Sequence, residues 1–267
     1  MGRKLINIAI TNIKGGVGKT CSTVNLGATL SAYHKKKVLI IDCDAQSNST
    51  DYLLINNERA TSENIKTVLE GVKIEKAIQT VNFTTPRKKK FSLDLICGSM
   101  NSGMIESPTP DLLKKKLKSI SDRYDICLFD CPPDTSSLAI LALCASDFIL
   151  VPAIADSFSL SGYSALIDIV NNIKAGTDNT SLCLLGIFFN AFAPQRSLSK
   201  IIKRETEAGF SDMLFDVAVC NYAMVSNAAY MGYPVCCFPD PNPVNENYKA
   251  LAKKILARIK KIRGNKL

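Results

Sequence analysis

Tryptophan is absent from this chain of 267 residues, histidine occurs once, at His34, and no two of the ten cysteines are spaced as CxxC. A zinc site needs paired Cys or His ligands, so none is expected, and the adjacent pair Cys236 and Cys237 is poorly suited to sharing a metal. Most cysteines, among them Cys127, Cys144, Cys183 and Cys220, lie inside apolar runs and read as small hydrophobes in a reduced compartment. An iron–sulfur ligand set is not supported either, Cys97 and Cys131 included. No apolar run is long enough to cross a membrane. The longest, Leu138 to Ala155, is interrupted by Ser146, Asp147 and Pro152 and reads as a core helix followed by a buried strand. Met1 to Lys4 is too short and polar for a signal peptide, and Ile6 stands where a myristoylation pattern after Gly2 requires Ser or Thr. A cytoplasmic location is expected. Basic residues are also missing from one long stretch: between Arg204 and Lys249 there is no Lys or Arg, although the chain carries a net charge of +9.

What is present is enough for a sizeable core: 46% hydrophobic residues against 21% charged. That balance fits a single α/β domain over residues 1–267. Strand-like runs are predicted at Leu5–Thr11, Lys37–Asp44, Ser92–Cys97, Ile126–Cys131, Phe148–Ala153, Leu182–Phe189 and Leu214–Val219. Several are apolar at consecutive positions, which means that both faces are covered. The expected architecture is therefore a mainly parallel twisted sheet with helices on both faces, and ligands gather at the carboxyl ends of such strands.

The stretch Lys14 to Thr20, KGGVGKT, follows the first of these runs and opens a helical pattern from Cys21 onward. Gly15, Gly16 and Gly18 allow successive backbone N–H groups to turn inward, and the following helix aims its positive end at the same point. Lys19 is then placed for β and γ phosphates and the Thr20 hydroxyl for a Mg²⁺ that bridges them, so a nucleoside triphosphate is expected. A strict P-loop has Gly where Ile13 stands. In its place the chain has a second lysine, Lys14, ahead of the glycines. Two further motifs end predicted strands: Asp42 to Thr50, DCDAQSNST, and Asp130 in LFDCPP.

With these three motifs in this order, the chain resembles the ParA/MinD class of deviant Walker A ATPases over nearly its whole length, and within it the short ParA-type partition ATPases. The resemblance implies ATP and Mg²⁺ as ligands and a slow ATP hydrolase. It implies that Lys14, Gly15, Gly16, Val17, Gly18, Lys19, Thr20 and Cys21 line the nucleotide. Lys14 would act across a dimer on the partner's phosphates, and Asp44 would position the attacking water. Thr20, Asp42, Asn48 and Asp130 would surround the metal, while Asn190 and the loop Phe238 to Pro243, with Pro239, would flank the adenine. It further implies an ATP-dependent homodimer on nucleoid DNA, stimulated by a ParB-like partner. A MinD-like ATPase on a membrane surface, or one positioning a protein cargo, is the alternative.

Charge bears on the cargo. About residues 245–263, Leu251, Ile255, Ile259 and Ile262 recur at helical spacing among lysines and arginines, the mark of a basic amphipathic C-terminal helix. Its plainest reading is a terminal helix packed on the sheet with a solvated basic face. A second basic group, Arg196, Lys200, Lys203 and Arg204, falls on the predicted helix Ser197–Phe210, and Arg87–Lys90 and Lys114–Lys118 are two more. Partition ATPases of this kind carry arginines ahead of an AxxxGxP stretch. Here the match falls around Ala229 to Pro234 and has none before it, so nonspecific DNA binding is expected either to rest on other clusters, foremost Arg196, Lys200, Lys203 and Arg204, or to be absent.

Overall fold

The computed structural model describes residues 5–100, 108–155, 159–221 and 223–264, so the predictions about Met1–Lys4 lie outside it. In chain order the elements are β1 (Ile6–Ile10), α1 (Lys19–His34), β2 (Val38–Asp42), α2 (Asn48–Leu54), α3 (Ile65–Leu69), β3 (Ile78–Thr84) and β4 (Lys90–Ile96). There follow α4 (Leu112–Leu117), β5 (Ile126–Asp130), α5 (Ser137–Ala145), β6 (Phe148–Ala153), α6 (Ser159–Gly176), β7 (Cys183–Phe189), α7 (Ser197–Phe210), α8 (Ala223–Tyr230) and α9 (Pro243–Gly264). The strands form one sheet in the order β3-β4-β2-β5-β1-β6-β7, parallel except for β3.

Side chains of a strand alternate between faces, and the two cores divide accordingly. Ile8, Ile10, Val38, Ile40, Ile126 and Leu128 face the core shared with α1 and α9. Ala9, Leu39, Ile41, Cys127 and Phe129 face the one shared with α4 and α5. A fully buried Leu or Ile side chain contributes about 1.5–3 kcal/mol, so continuous apolar strands are what a sheet covered on both sides needs. Helix α1 lies directly on the sheet because Gly27 has no side chain: a Cβ there would meet Ile40 Cδ1 at 3.2 Å and Leu128 Cδ1 at 3.4 Å.

The apolar runs mark six of the seven strands among the described residues. The seventh prediction, Leu214–Val219, is corrected: that segment makes only isolated bridges, Ile187 with Leu214 and Phe192 with Cys220. Its backbone meets β7 at separate points, Phe215 N donating to Ile187 O at 2.7 Å and Val219 N to Phe189 O at 2.8 Å, and between them no continuous ladder forms, while Arg258 of α9 donates to Leu214 O at 3.3 Å. The remaining strand is β3, which alternates buried Gln79, Val81 and Phe83 with exposed Thr80, Asn82 and Thr84. It pairs antiparallel at the sheet edge, where one face is wet and an apolar run is not required.

Helix α9 buries Val244, Tyr248, Leu251, Ala252, Ile255 and Ile259. Several of its cations are engaged within the fold: Lys254 with Asp216, Lys249 with Glu246, Arg263 with Asp147, and Arg258 over the Phe215 ring at 3.9 Å. Helix α9 thus packs on the sheet through its apolar stripe.

Candidate functional site

The carboxyl ends of β1, β2 and β5 lie side by side, and the three motifs leave from them. Ile10 pairs with Asp130, and Asp42 pairs with the same Asp130 from the other side. The loop after β1 turns through two left-handed glycines, Gly16 at φ 73° and Gly18 at φ 83°. A Cβ at Gly16 would meet nothing, whereas one at Gly18 would fall 2.1 Å from Asn190 Nδ2. Asn190, just past β7, donates that same amide to Val17 O at 2.9 Å, so it seats the loop from beneath.

Lys19 opens α1 and is buried. Its ammonium donates to Asn12 O and Lys14 O, both at 3.2 Å, and so spans the entry of the loop. Burial lowers its pKa, against the pull of Asp130 and then Asp44, which hold the proton. Asn12 fixes the same corner: its Oδ1 accepts from Lys14 N at 3.0 Å and its Nδ2 donates to Pro152 O at 2.9 Å. Nothing in the sequence singled Asn12 out, because an Asn between a strand and a glycine loop reads as an ordinary turn residue.

Asp42 and Asp130 are enclosed, at 0% and 1% exposure. Asp42 accepts from Thr50 N at 2.8 Å, Thr50 Oγ1 at 2.7 Å and Asp44 N at 3.1 Å. Asp130 accepts from Ser49 Oγ and, at 3.3 Å, Thr23 Oγ1. Burial raises both above the usual carboxylate range; Asp130 raises Asp42 further, while hydrogen bonds from Ser49, Thr20 and Thr23 oppose the rise at Asp130. Asp44 lies beside them, its Oδ1 accepting from Gln46 N at 2.9 Å. Cys21 sits in the first turn of α1, where burial and then Asp130 push its thiol up to about 11 and keep it protonated.

Asp130 and then Asp44 thus act on one buried ammonium, Lys19, and Asp42 lies in register against Asp130. The deficit of positive charge and the all-oxygen donor set of carboxylates and hydroxyls suit a hard divalent cation. Beside it, a loop of turned-in amides at a helix N-terminus suits an anion. Together they fit a phosphate chain held with a metal.

The other predicted residues divide. Asn48 is exposed at the start of α2; Ser49 and Thr50, next in the chain, are the ones that reach Asp130 and Asp42. Pro239 is not brought to this end. Its neighbours Phe238 and Asp240 line a cavity with Tyr33 and Lys89, in the last turn of α1 and at the start of β4, on the opposite edge of the sheet. The Asp-Pro-Asn turn serves there to start α9, as Asn242 Oδ1 accepts from Asn245 N at 3.0 Å. On α7, Arg196, Lys200 and Arg204 are exposed, whereas Lys203 pairs with Glu207 at 3.7 Å.

Comparison with known proteins agrees with this geometry. Residues 5–183 match the family model described as AAA domain. The chromosome-partitioning ATPase Soj of Treponema pallidum is 31% identical over 97% of this chain and 98% of its own length. The sporulation initiation inhibitor protein Soj of Bacillus subtilis is 31% identical over 94% of this chain and 98% of its own. Among solved structures, an ATP complex of a Cyanothece McdA variant superposes with a TM-score of 0.78 at 20% identity, covering 96% of this chain and 98% of that one, a likeness of fold. With a family match over more than half its residues and near-complete overlap with the Soj proteins, the chain belongs to the ParA/Soj family of partition ATPases.

Proposed function

We propose that this chain binds ATP with Mg²⁺ at the β1–α1 loop and works as a dimerising switch that partitions DNA. The observation that carries the reading is the in-register pair Asp42 and Asp130, buried beside Lys19 at the mouth of a glycine loop. The amides of Gly15 to Thr20, with Cys21 in the first turn of α1, would hold the phosphates, and Lys19 would exchange its two carbonyl acceptors for phosphate oxygens. Thr20, Asp42 and Asp130 would hold the metal, with Asn48 at the rim. The metal, when bound, draws off charge from the phosphates. Asp44, near enough to Lys19 to act on its charge, would orient water. Asn190, seated against Gly18, is at the end of the loop where the base would lie.

Lys14 would complete the site of a second copy, and two copies would enclose two ATP molecules. A residue that must be delivered by a partner makes turnover slow in the monomer and gives a ParB-like protein a step to accelerate. Membership of a partition family supports DNA as the cargo, and lipid is disfavoured because the apolar stripe of α9 is already buried in the fold.

The test is sizing chromatography with ATP and Mg²⁺, followed by co-sedimentation with random duplex DNA and with anionic liposomes. A dimer that forms with ATP and pellets with DNA is expected. A species that stays monomeric with ATP, or pellets with liposomes alone, would overturn the reading.

A further inference from the structure

We propose that the nucleic-acid backbone is held at the amino-terminal edge of the sheet, in a cleft on the side opposite to the nucleotide loop. The inference rests on the DNA cargo proposed above. The cleft has a volume of about 550 Å³. Its cations arrive from three segments: Lys35, Lys36 and Lys37 between α1 and β2, Lys89 and Lys90 at the start of β4, and Arg123 just before β5. Convergence follows from topology. Strands β4, β2 and β5 are consecutive neighbours and run parallel, so the residues that precede them gather on one edge.

Among the described residues Asp94 is the lone carboxylate lining the cleft, and its oxygens are occupied: Thr80 Oγ1 donates at 2.6 Å and Tyr124 OH at 2.6 Å. Among the described residues none of the five lysines is ion-paired. Lys36 and Lys89 are felt as far as His34, whose pKa they lower beyond the effect of burial. The other basic runs are partly neutralised within the fold. On α7, Lys203 pairs with Glu207; on α4, Lys115 pairs with Asp111; on α9, Lys249 pairs with Glu246 and Lys254 with Asp216.

Clustered, unpaired lysines are point charges that suit phosphates in series without reading bases. Small polyphosphates share that chemistry, but the cations come from three segments spread over three adjacent strands, which suits a running backbone. The position also explains how ATP would control binding. The nucleotide edge is left free to dimerise, so a dimer carries two clefts and gains avidity without any change in either.

Fluorescence anisotropy with a short random-sequence duplex, at several salt concentrations and with ATP, tests this. Replacing Lys37 and Lys90 by Gln should lower affinity by about tenfold or more and reduce the slope of log K against log salt by about 1.8, two contacts' worth. Lys37→Glu with Lys90→Glu should abolish binding. ATP turnover and the thermal melt should stay as in the wild type, since neither side chain reaches the nucleotide edge. Lys200→Gln with Arg204→Gln on α7 should keep the wild-type slope. An unchanged slope in the cleft variants, with the loss appearing in the α7 variant, overturns the cleft and leaves the DNA cargo standing. A wild-type protein that binds no DNA with ATP overturns both. Inorganic tripolyphosphate bound once per subunit, lost in the cleft variants and not displaced by duplex, would assign the cleft to a small anion instead.

Discussion

Asp42 and Asp130 face one another across the β2–β5 ladder, both enclosed, and each is held by hydroxyl groups from the first turn of α2. Burial holds both above the usual carboxylate range near 4, and the charge of Asp130 raises Asp42 further. A carboxyl raised in the folded state adds stability at low pH, and that stability is lost as pH climbs through the folded value. Without metal, the pair should therefore weaken the fold as pH rises from about 4 toward neutrality and beyond. Mg²⁺ with ATP should offset the loss, so the gain in Tm on adding both should be larger at about pH 8 than at about pH 6. Equal gains at the two pH values would show that the pair does not face the metal.

Lys19 is the buried cation that balances this group. Removing one partner of a buried, hydrogen-bonded charge pair costs about 2–5 kcal/mol, or roughly 30-fold and upward in affinity. Lys19→Ala should lose ATP binding in calorimetry to at least that extent while the circular dichroism spectrum is kept. Retained wild-type affinity would sink the loop as the phosphate site.

Gly18 is constrained twice, by a left-handed backbone and by Asn190 at 2.1 Å from where a Cβ would stand. A left-handed non-glycine residue costs about 1–2 kcal/mol. With about 2–4 °C of Tm per kcal/mol in a domain of about this size, Gly18→Ala should lower the nucleotide-free melt by roughly 2–8 °C before the contact with Asn190 is added. Gly15→Ala is the control, because a Cβ there meets nothing. Adding Asn190→Ala to Gly18→Ala should recover part of the loss, the contact, and leave the part due to φ. Full recovery would mean that backbone strain contributes nothing.

Fold and site were unevenly legible in the sequence. Continuous runs such as Val38–Asp42 and Ile126–Asp130 announced buried parallel strands, and their terminal aspartates marked the candidate site, because both signals are local. What was not legible depended on partners distant in sequence. Ser49 and Thr50 look like filler in a polar turn, yet they bond Asp130 and Asp42, and Thr50 Oγ1 also accepts from Gly98 N at 2.8 Å. Pro239 sits in a proline-bearing loop of the expected kind, but only the cavity that Phe238 shares with Tyr33 and Lys89 tells that the loop lies at the other edge. The edge strand β3 has too few apolar residues for a run, and its alternation was the signal available.

Lys14 lies in the same loop as Lys19 but in a different role. Its carbonyl accepts from Lys19 and its amide donates to Asn12, so its backbone is needed at home while its side chain is the part proposed to act across the dimer. Lys14→Ala keeps those backbone bonds. The variant should bind ATP with near wild-type affinity, remain monomeric on a sizing column, and lose partner-stimulated hydrolysis by about 10³-fold or more, as for a cation supplied in trans. Wild-type stimulated turnover in this variant would contradict the shared site.

Asp44 separates hydrolysis from assembly. It is close enough to Lys19 to act on its charge, yet its hydrogen bond to Gln46 N leads into the turn ahead of α2 and away from the loop amides. Removing its carboxylate should therefore spare phosphate binding and abolish the orientation of water. Asp44→Ala is expected to bind ATP, to dimerise and to stall, so that the dimer survives for hours on a column where the wild type decays as ATP is consumed. General-base or water-orienting groups contribute about 10²–10⁴-fold, and turnover should fall within that range. The informative comparison is the double variant with Lys14→Ala. If Lys14 builds the dimer and Asp44 acts only after it forms, Lys14→Ala should be dominant and the double variant monomeric. A double variant that still forms the stalled dimer would show that Lys14 is not needed for assembly, and would move its role to the chemical step alone.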